Sequence, residues 1–346
     1  MGLLVSDDIG LIKTTTLNMS DGEIISNESG VGLAVKRMCW LSCQADRLAV
    51  SRANGVIDFF ELNEEKWTKV KSFETEAEIN LMSWSDNTLL VITDTSILRF
   101  SSEDYERKSC DTLPGGPYTL SILLDDDHAL VSKGSSPPVV FNLTTLRIIW
   151  SGKNAPDTPL ALSSIFTTES AVALSPTVFV CGSLEGKLRL YHIDKQRKPL
   201  LELVVQEAYQ LSGNYTGTTG PSRPIKVLTL SEDRSTLFAG DTFGSVIGLN
   251  IKKLVDQSFK IEAKVGTRAH ADMARKTMPL MCSVNGVTGS VRCIQVHEST
   301  LFIATAGRYL YAYDVKTKRV AKKSFNQKLT YCLPFTAENT KRARLS

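Results

Sequence analysis

The four histidines of this 346-residue chain are the first candidates for acid-base or metal chemistry, because imidazole titrates near neutral pH and ligates metals as the neutral ring. His128 and His192 fall inside strand-like runs, His297 ends one, and His270 lies in a polar stretch with Asp272 two residues on. A metal site gathers several ligands at short, repeated spacings, and His270-Ala-Asp272 offers only a pair. The seven cysteines, at 39, 43, 110, 181, 282, 293 and 332, are odd in number and contain no Cys-x-x-Cys. Scattered through apolar runs, they read as reduced, buried thiols of an intracellular protein, not as a zinc site or a disulfide framework. Gly182-Ser-Leu-Glu-Gly186-Lys187 is the nearest approach to a phosphate loop. It is one residue short, has no Ser or Thr after the lysine, and continues as the strand-like Leu188-Arg189-Leu190-Tyr191, where a helix would have to supply amide donors. Asp125-Asp126-Asp127 has the composition of a hairpin turn. An enzyme is disfavoured, and no cofactor or small-molecule substrate is expected.

Positive charge is the remaining chemistry. The net charge is only +3, but of 40 basic and 37 acidic residues, ten and two fall at 301–346, leaving 30 against 35 before it. An uneven distribution of this kind points to an anionic partner at one end. The basic residues cluster as Lys195, Arg197 and Lys198; as Lys252, Lys253 and Lys260; as Arg268, Arg275 and Lys276; as Lys316, Lys318, Arg319, Lys322 and Lys323; and as Lys341, Arg342 and Arg344. Few aromatics are interleaved, Tyr191 and Phe325 excepted, so backbone and shape contacts with structured RNA suit these clusters better than base stacking. The plain alternative is edge protection, since lysines on outer strands block sheet-to-sheet pairing.

The elements that must carry these charges are short strands, and the outermost strands of three neighbouring blades are expected to hold Lys316, Lys318, Arg319, Lys322 and Lys323, to be entered by Lys195, Arg197 and Lys198, and to be flanked by Lys252, Lys253 and Lys260. Gly289 to Phe325 holds four in succession, Val291–His297, Leu301–Ala304, Tyr309–Val315 and Arg319–Phe325, parted by small or polar turns, with Tyr313-Asp314 where such repeats usually end their third strand in Trp-Asp. Four strands in about forty residues is the signature of one β-propeller blade. Less regular copies recur from the start of the chain, with Asn54-Gly55 a hairpin turn in the second. The sixth reads as Ile225–Leu230, Thr236–Ala239, Ser245–Ile251 and Ser258–Ala263. The first copy shows three strands, and Leu329–Phe335 supplies its missing innermost one. The expectation is an all-β, seven-bladed WD-repeat β-propeller over 1–335, closed by a C-terminal strand that completes the first blade. Two flexible insertions, 206–223 and 264–286, both precede an inner strand and so should emerge on one face. A short basic tail at 336–346 should be disordered. No apolar run reaches the roughly eighteen residues of a membrane span, and MGLLVSDDIG lacks the basic and hydrophobic regions of a signal peptide,.

Particular residues suggest a family. Gly10-Leu11-Ile12-Lys13, Met38-Cys39-Trp40 with Ala53-Asn54-Gly55-Val56, and Arg197-Lys198-Pro199-Leu200-Leu201-Glu202 occur in that order. They are followed by Leu228-Thr229-Leu230, Gly240-Asp241-Thr242-Phe243-Gly244 and Gly289-Ser290-Val291-Arg292. In this ordered set the chain resembles the WD-repeat-containing protein 74 family, nucleolar factors of large ribosomal subunit assembly. Residues 75–175 match it poorly, and its last hairpin is shortened here to Gly307-Arg308. The resemblance implies a non-enzymatic scaffold of the nucleolus and nucleus, bound to ribosomal RNA and assembly factors in early pre-60S particles and released by a AAA-type ATPase, with no membrane partner. A WD-repeat adaptor for another complex, such as a ubiquitin-ligase receptor or a trafficking scaffold, would use the same fold.

Overall fold

The computed structural model describes residues 2–16, 21–63, 66–134, 136–153, 166–195, 197–205, 223–262, 280–284 and 286–335. Blade one contributes β1 (Gly2–Asp7), β2 (Ile12–Thr16) and β3 (Asp21–Ser26), and blade two β4 (Val35–Trp40), β5 (Arg47–Arg52), β6 (Val56–Asn63) and β7 (Lys66–Glu74). Blade three is β8 (Ile79–Ser85), β9 (Thr88–Thr93), β10 (Ser96–Ser101) and β11 (Arg107–Thr112); blade four is β12 (Leu120–Leu123), β13 (His128–Ser132), β14 (Val139–Asn142) and β15 (Ile148–Ser151). Blade five is β16 (Thr168–Ser175), β17 (Val178–Ser183), β18 (Lys187–His192) and β19 (Leu201–Val204). Blade six holds β20 (Ile225–Leu230), β21 (Thr236–Asp241), β22 (Val246–Asn250), a helix α1 (Ile251–Glu262) and β23 (Leu280–Val284). Blade seven is β24 (Val291–His297), β25 (Thr300–Thr305), β26 (Tyr309–Asp314) and β27 (Val320–Ser324), and β28 (Leu329–Phe335) joins blade one in the order β28-β1-β2-β3. The result is seven four-stranded antiparallel sheets, a seven-bladed β-propeller in which the last strand completes the first blade.

Two compact units divide the chain, Met1–Tyr118 with Ser299–Ser346, and Thr119–Glu298. Within the first, β28 packs against β4 and β25, and β4 against β8; within the second, β12 packs against β16, β16 against β20, and β20 against β24. Middle strands are buried on both faces and therefore read as nearly unbroken apolar runs: Leu48, Ala49 and Val50 of β5 and Leu301 to Ala304 of β25 are fully enclosed,. Outer strands are instead half solvated and charged, with Lys66, Lys69 and Lys71 on β7, Arg107 and Lys108 on β11, and Lys322 and Lys323 on β27. The turn after the second strand has a recurrent device. Asp7, Thr93, Ser183 and Asp241 each end their strand and accept backbone N–H groups of the following turn through a side-chain oxygen. The loop at Gly182–Lys187 is one of these turns, with the Ser183 hydroxyl accepting from the amides of Glu185 and Lys187 at 3.2 Å.

Close approach between sheets explains one glycine. A Cβ on Gly240 would lie 2.7 Å from Cγ1 of Val291 and 3.0 Å from Cδ1 of Ile294. Gly240→Ala is therefore expected to cost about 1–3 kcal/mol by overpacking, read as a lower urea midpoint, whereas an unchanged midpoint would mean that β24 yields freely.

Two arginines are enclosed to the same degree as the aliphatic core. Arg52 ends β5 and donates from Nε to Oδ2 of Asp58 at 2.5 Å, and from its terminal nitrogens to the carbonyls of Gly10 and Leu33 and the hydroxyl of Ser26. Arg189 on β18 donates from Nε to Oε2 of Glu202 at 2.7 Å and lies 4.2 Å from the centre of the Phe166 ring.

Blade six departs from expectation. Its fourth strand is Leu280–Val284, paired to β22 through Val246 with Val284 and Ile247 with Ser283. Residues 258–262 belong to α1, and the expected insertion 264–286 includes the strand itself. The helix starts where the Asn250 side chain accepts the amide of Lys253 at 2.8 Å, a capping bond. Ile251 and Leu254 then turn into the apolar cluster that includes Leu201, Leu203 and Leu249. The placement of the two insertions changes accordingly. The connection from β19 to β20 runs from a fourth strand to the next inner strand and that from β22 to β23 from a third strand to a fourth, so the two start at opposite ends of the strands; residues 206–222 and 263–279 themselves lie outside the described residues. The cysteines are also less uniform than expected: Cys181, Cys293 and Cys332 are buried, Cys39 and Cys282 are half-buried, and Cys43 and Cys110 are exposed. Burial pushes the Cys181 thiol well above its ordinary range, which leaves it little thiolate character.

Candidate nucleic-acid interface

The basic clusters lie mainly on turns between the third and fourth strands, not along the outermost strands. In the second unit Lys195, Arg197 and Lys198 are exposed in the turn from β18 to β19. Lys252 and Lys253 are exposed on the first turn of α1, a correction to their expected place flanking an outer strand. Both sets follow a third strand, and α1 touches β19 as well as β22, so the helix carries its lysines beside blade five. The side chain of Lys260, together with Arg268, Arg275, Lys276, Lys341, Arg342 and Arg344, lies outside the described residues.

In the first unit Lys316, Lys318 and Arg319 are exposed in the turn from β26 to β27. The one acid there, Asp314, is turned inward on the backbone, its Oδ1 accepting from the amides of Lys316 at 2.9 Å and Thr317 at 2.7 Å. Hydrogen bonding to the turn, the Thr317 amide foremost, holds its carboxyl below the ordinary aspartate range. On β27 itself, alternation sends Lys322 and Lys323 to opposite faces. Lys322 pairs across from Tyr311 and rests its ammonium 3.7 Å from the centre of the Tyr309 ring. Lys323 reaches the other way, 3.4 Å from the Thr15 hydroxyl and 5.6 Å from the Phe325 ring. Lys13 of β2 comes to the same ring, at 4.6 Å.

The two aromatics interleaved with the basic clusters fare differently. Tyr191 is 1% exposed and stacked on Phe179 at 5.2 Å, inside the blade-five core. Phe325 is half-buried between strands and flanked by ammonium groups. The sequence offered no sign of Lys13 as a member of this surface, because β2 meets β27 only through the fold. On the turns after the second strands of blades five and six, Leu184 and Phe243 stand exposed, the latter with the Arg223 guanidinium 5.0 Å from its ring.

The histidines are held by local partners. Nδ1 of His128 lies 2.9 Å from Asp125, Nδ1 of His192 accepts the Asp194 amide at 3.3 Å, and Nδ1 of His297 lies 3.1 Å from Glu232. His270 is outside the described residues. Asp125 also accepts the Asp127 amide at 2.9 Å, which makes the acidic run a turn. Among the described residues, no group of three or more His, Cys, Asp or Glu could hold a metal ion.

No family model matches the chain, and no curated protein matches its sequence. Solved structures do match in fold. The RRP9 WD40 repeats are 11% identical with a TM-score of 0.62, covering 88% of this chain and 83% of that one. U3-55K is 11% identical with a TM-score of 0.63, covering 88% and 84%. The β-propeller domain of Cps50 (Swd1) from Myceliophteria thermophila is 13% identical with a TM-score of 0.58, covering 85% and 89%. At these identities the likeness concerns the fold, and the chain has the architecture of a WD40 β-propeller.

Proposed function

We propose that this propeller is a non-enzymatic scaffold of ribosome assembly that rests its basic surface on ribosomal RNA and holds other assembly factors on its remaining faces. The observation that carries the reading is the set of exposed cations Lys316, Lys318, Arg319 and Lys322 on blade seven, where the neighbouring carboxylate of Asp314 is engaged by its own turn. Cations displayed in series release counterions from a phosphate backbone, which supplies affinity without sequence choice. The resemblance of its ordered motifs to the WD-repeat-containing protein 74 family supports the finer statement: an early nucleolar pre-60S particle, with release by a AAA-type ATPase. The second unit adds Lys195, Arg197, Lys198, Lys252 and Lys253 on its own basic face.

Reversal of Lys316, Lys318, Arg319, Lys322 and Lys323 to Glu is expected to lower affinity for large-subunit precursor RNA at least tenfold and to flatten its salt dependence. RNA sequencing of affinity-purified complexes reads the outcome in cells. Unchanged association at moderate salt would assign those residues to edge protection. The exposed Leu184 and Phe243 favour a second reading, an adaptor that captures a peptide on those turns; a tagged protein found in the cytoplasm without precursor RNA would select it.

A further inference from the structure

The connections that follow β3, β7 and β11 leave the same end of their blades as the turns after the second strands, and in the first unit these segments are bonded into one row. Asn54 donates to the carbonyl of Gly32 at 3.0 Å, Thr75 to that of Gly55 at 3.0 Å, Asp94 to that of Glu78 at 2.9 Å and Tyr118 to that of Asp94 at 2.7 Å. At the start of the row Val31 is 107% exposed, so no neighbour shields it. Its turn is nevertheless fixed: Gly30 donates to the carbonyl of Ile9 at 2.9 Å, Leu33 donates to that of Gly30 at 3.2 Å, and the buried Arg52 guanidinium holds the Leu33 carbonyl at 3.1 Å. Further along, Ala53, Pro114 and Pro117 are exposed and Ala77 is half-buried. The charges along the row are acidic. Glu74, Glu76 and Glu78 are exposed and Asp94 is half-buried. Lys36 offsets Glu78 at 3.4 Å, and Glu28 is paired with Lys69 and Arg52. Among the described residues Glu74, Glu76 and Asp94 enter no ion pair.

We infer that this row of turns docks a basic protein segment, its lysine or arginine side chains on Glu74, Glu76 and Asp94 and an aliphatic side chain against Val31, a role that rests on the scaffold reading above and gives the chemistry of one partner. Burying a valine that otherwise faces only water is favourable, and a turn already fixed by hydrogen bonds has little freedom left to lose on binding. Exposed ion pairs contribute little each, but carboxylates of one sign steer a cationic partner to the row and turn an anionic one away. A phosphate backbone is therefore not the occupant. The cations of the RNA-binding reading lie on the turn from β26 to β27, at the other end of the strands, so the two surfaces do not compete.

The test uses the full chain and a fluorescent twelve-residue peptide of alternating arginine and leucine, titrated by anisotropy, with alternating glutamate-leucine and arginine-serine peptides as controls. The arginine-leucine peptide is expected to bind tightest of the three, with an affinity that falls as salt rises. Glu74→Gln/Glu76→Gln/Asp94→Asn is expected to weaken its binding about eightfold, roughly twofold for each exposed ion pair, and Val31→Ser to weaken it about tenfold. Circular dichroism melting checks that both variants keep the fold. Equal binding of the glutamate-leucine peptide, no saturable binding of the arginine-leucine peptide, or no loss in either variant would overturn the inference. Loss in one variant alone would overturn it too, in favour of an uncharged apolar partner if that variant is Val31→Ser and of unselective charge attraction if it is the other. The blade-seven reversals test the RNA reading separately: the expected peptide pattern in a protein that binds no precursor RNA would keep the docking surface and drop the ribosomal role.

Discussion

Replacing Asp58 with Asn is expected to destabilise the protein by about 3–5 kcal/mol, the usual loss when one partner of a buried ion pair is removed. Arg52 is 1% exposed and Asp58 2%, so neither charge has water to fall back on. Asp58 also accepts the Ser72 hydroxyl at 2.7 Å, and the guanidinium holds carbonyls at Gly10 and Leu33. The pair therefore fastens the first blade's turn and its link into β4 onto blade two. Asparagine keeps the shape and loses the charge, leaving a guanidinium enclosed with only Glu28, 3.6 Å away and 44% exposed, to balance it. Urea denaturation measures the loss. Arg52→Met combined with Asp58→Leu removes both desolvation penalties but leaves the Gly10 and Leu33 carbonyls without the guanidinium, so it should recover only part of the loss, and the double-mutant cycle isolates the coupling. A single substitution within 1 kcal/mol of the parent would show that Glu28 carries the balance instead.

Glu202→Gln is the second large effect, expected at about 2–3 kcal/mol, the lower end of buried-pair losses because Glu202 is 32% exposed while Arg189 is 1% exposed,. Burial alone would raise the Glu202 pKa, but Lys187 at 2.8 Å and Arg189 at 2.7 Å outweigh it and hold the carboxyl below its ordinary 4.5. A carboxylate whose folded pKa is depressed binds fewer protons in the folded state. Its contribution to stability is therefore complete above about 4.5 and is lost as pH falls through the folded value. Parent and variant should accordingly differ most at neutral pH and converge in acid. A gap that stays constant down to pH 3 would mean that packing around Phe166, not charge, is what the substitution disturbs.

The blades were legible because their physics is local. Period-two alternation and turns such as Asn54-Gly55 mark strands without reference to anything distant, and Gly289 to Phe325 reads almost strand for strand as β24 to β27. Blade six was misread where that locality fails. Ile251, Leu254 and Val255 carry helical spacing directly after β22, yet they follow a strand without any break, and the true fourth strand returns only at Leu280 after a connection longer than turns of this kind usually allow,. Positive charge was legible as composition, but its position on turns and on α1 depends on where strands three end. Arg52 and Arg189 gave no sequence sign of burial, since an arginine in an alternating strand reads as solvent-facing until its partner is seen. Lys13 could not be joined to Lys323 by any periodicity, because the fold alone brings β2 to β27.

The pairing of β28 with β1 has a consequence for biosynthesis. Ser6 and Thr330, 324 residues apart, share a hydrogen bond at 3.1 Å, and at ribosomal rates of about 5–20 residues per second the earlier of them waits roughly 16–65 s for the later. Throughout that interval Gly2 to Asp7, entirely buried in the finished protein, presents an open apolar edge to the cell. That segment is therefore exposed to wrong partners until β28 is made, and a chaperone that shields it over the interval would raise the yield more than one acting on any later blade.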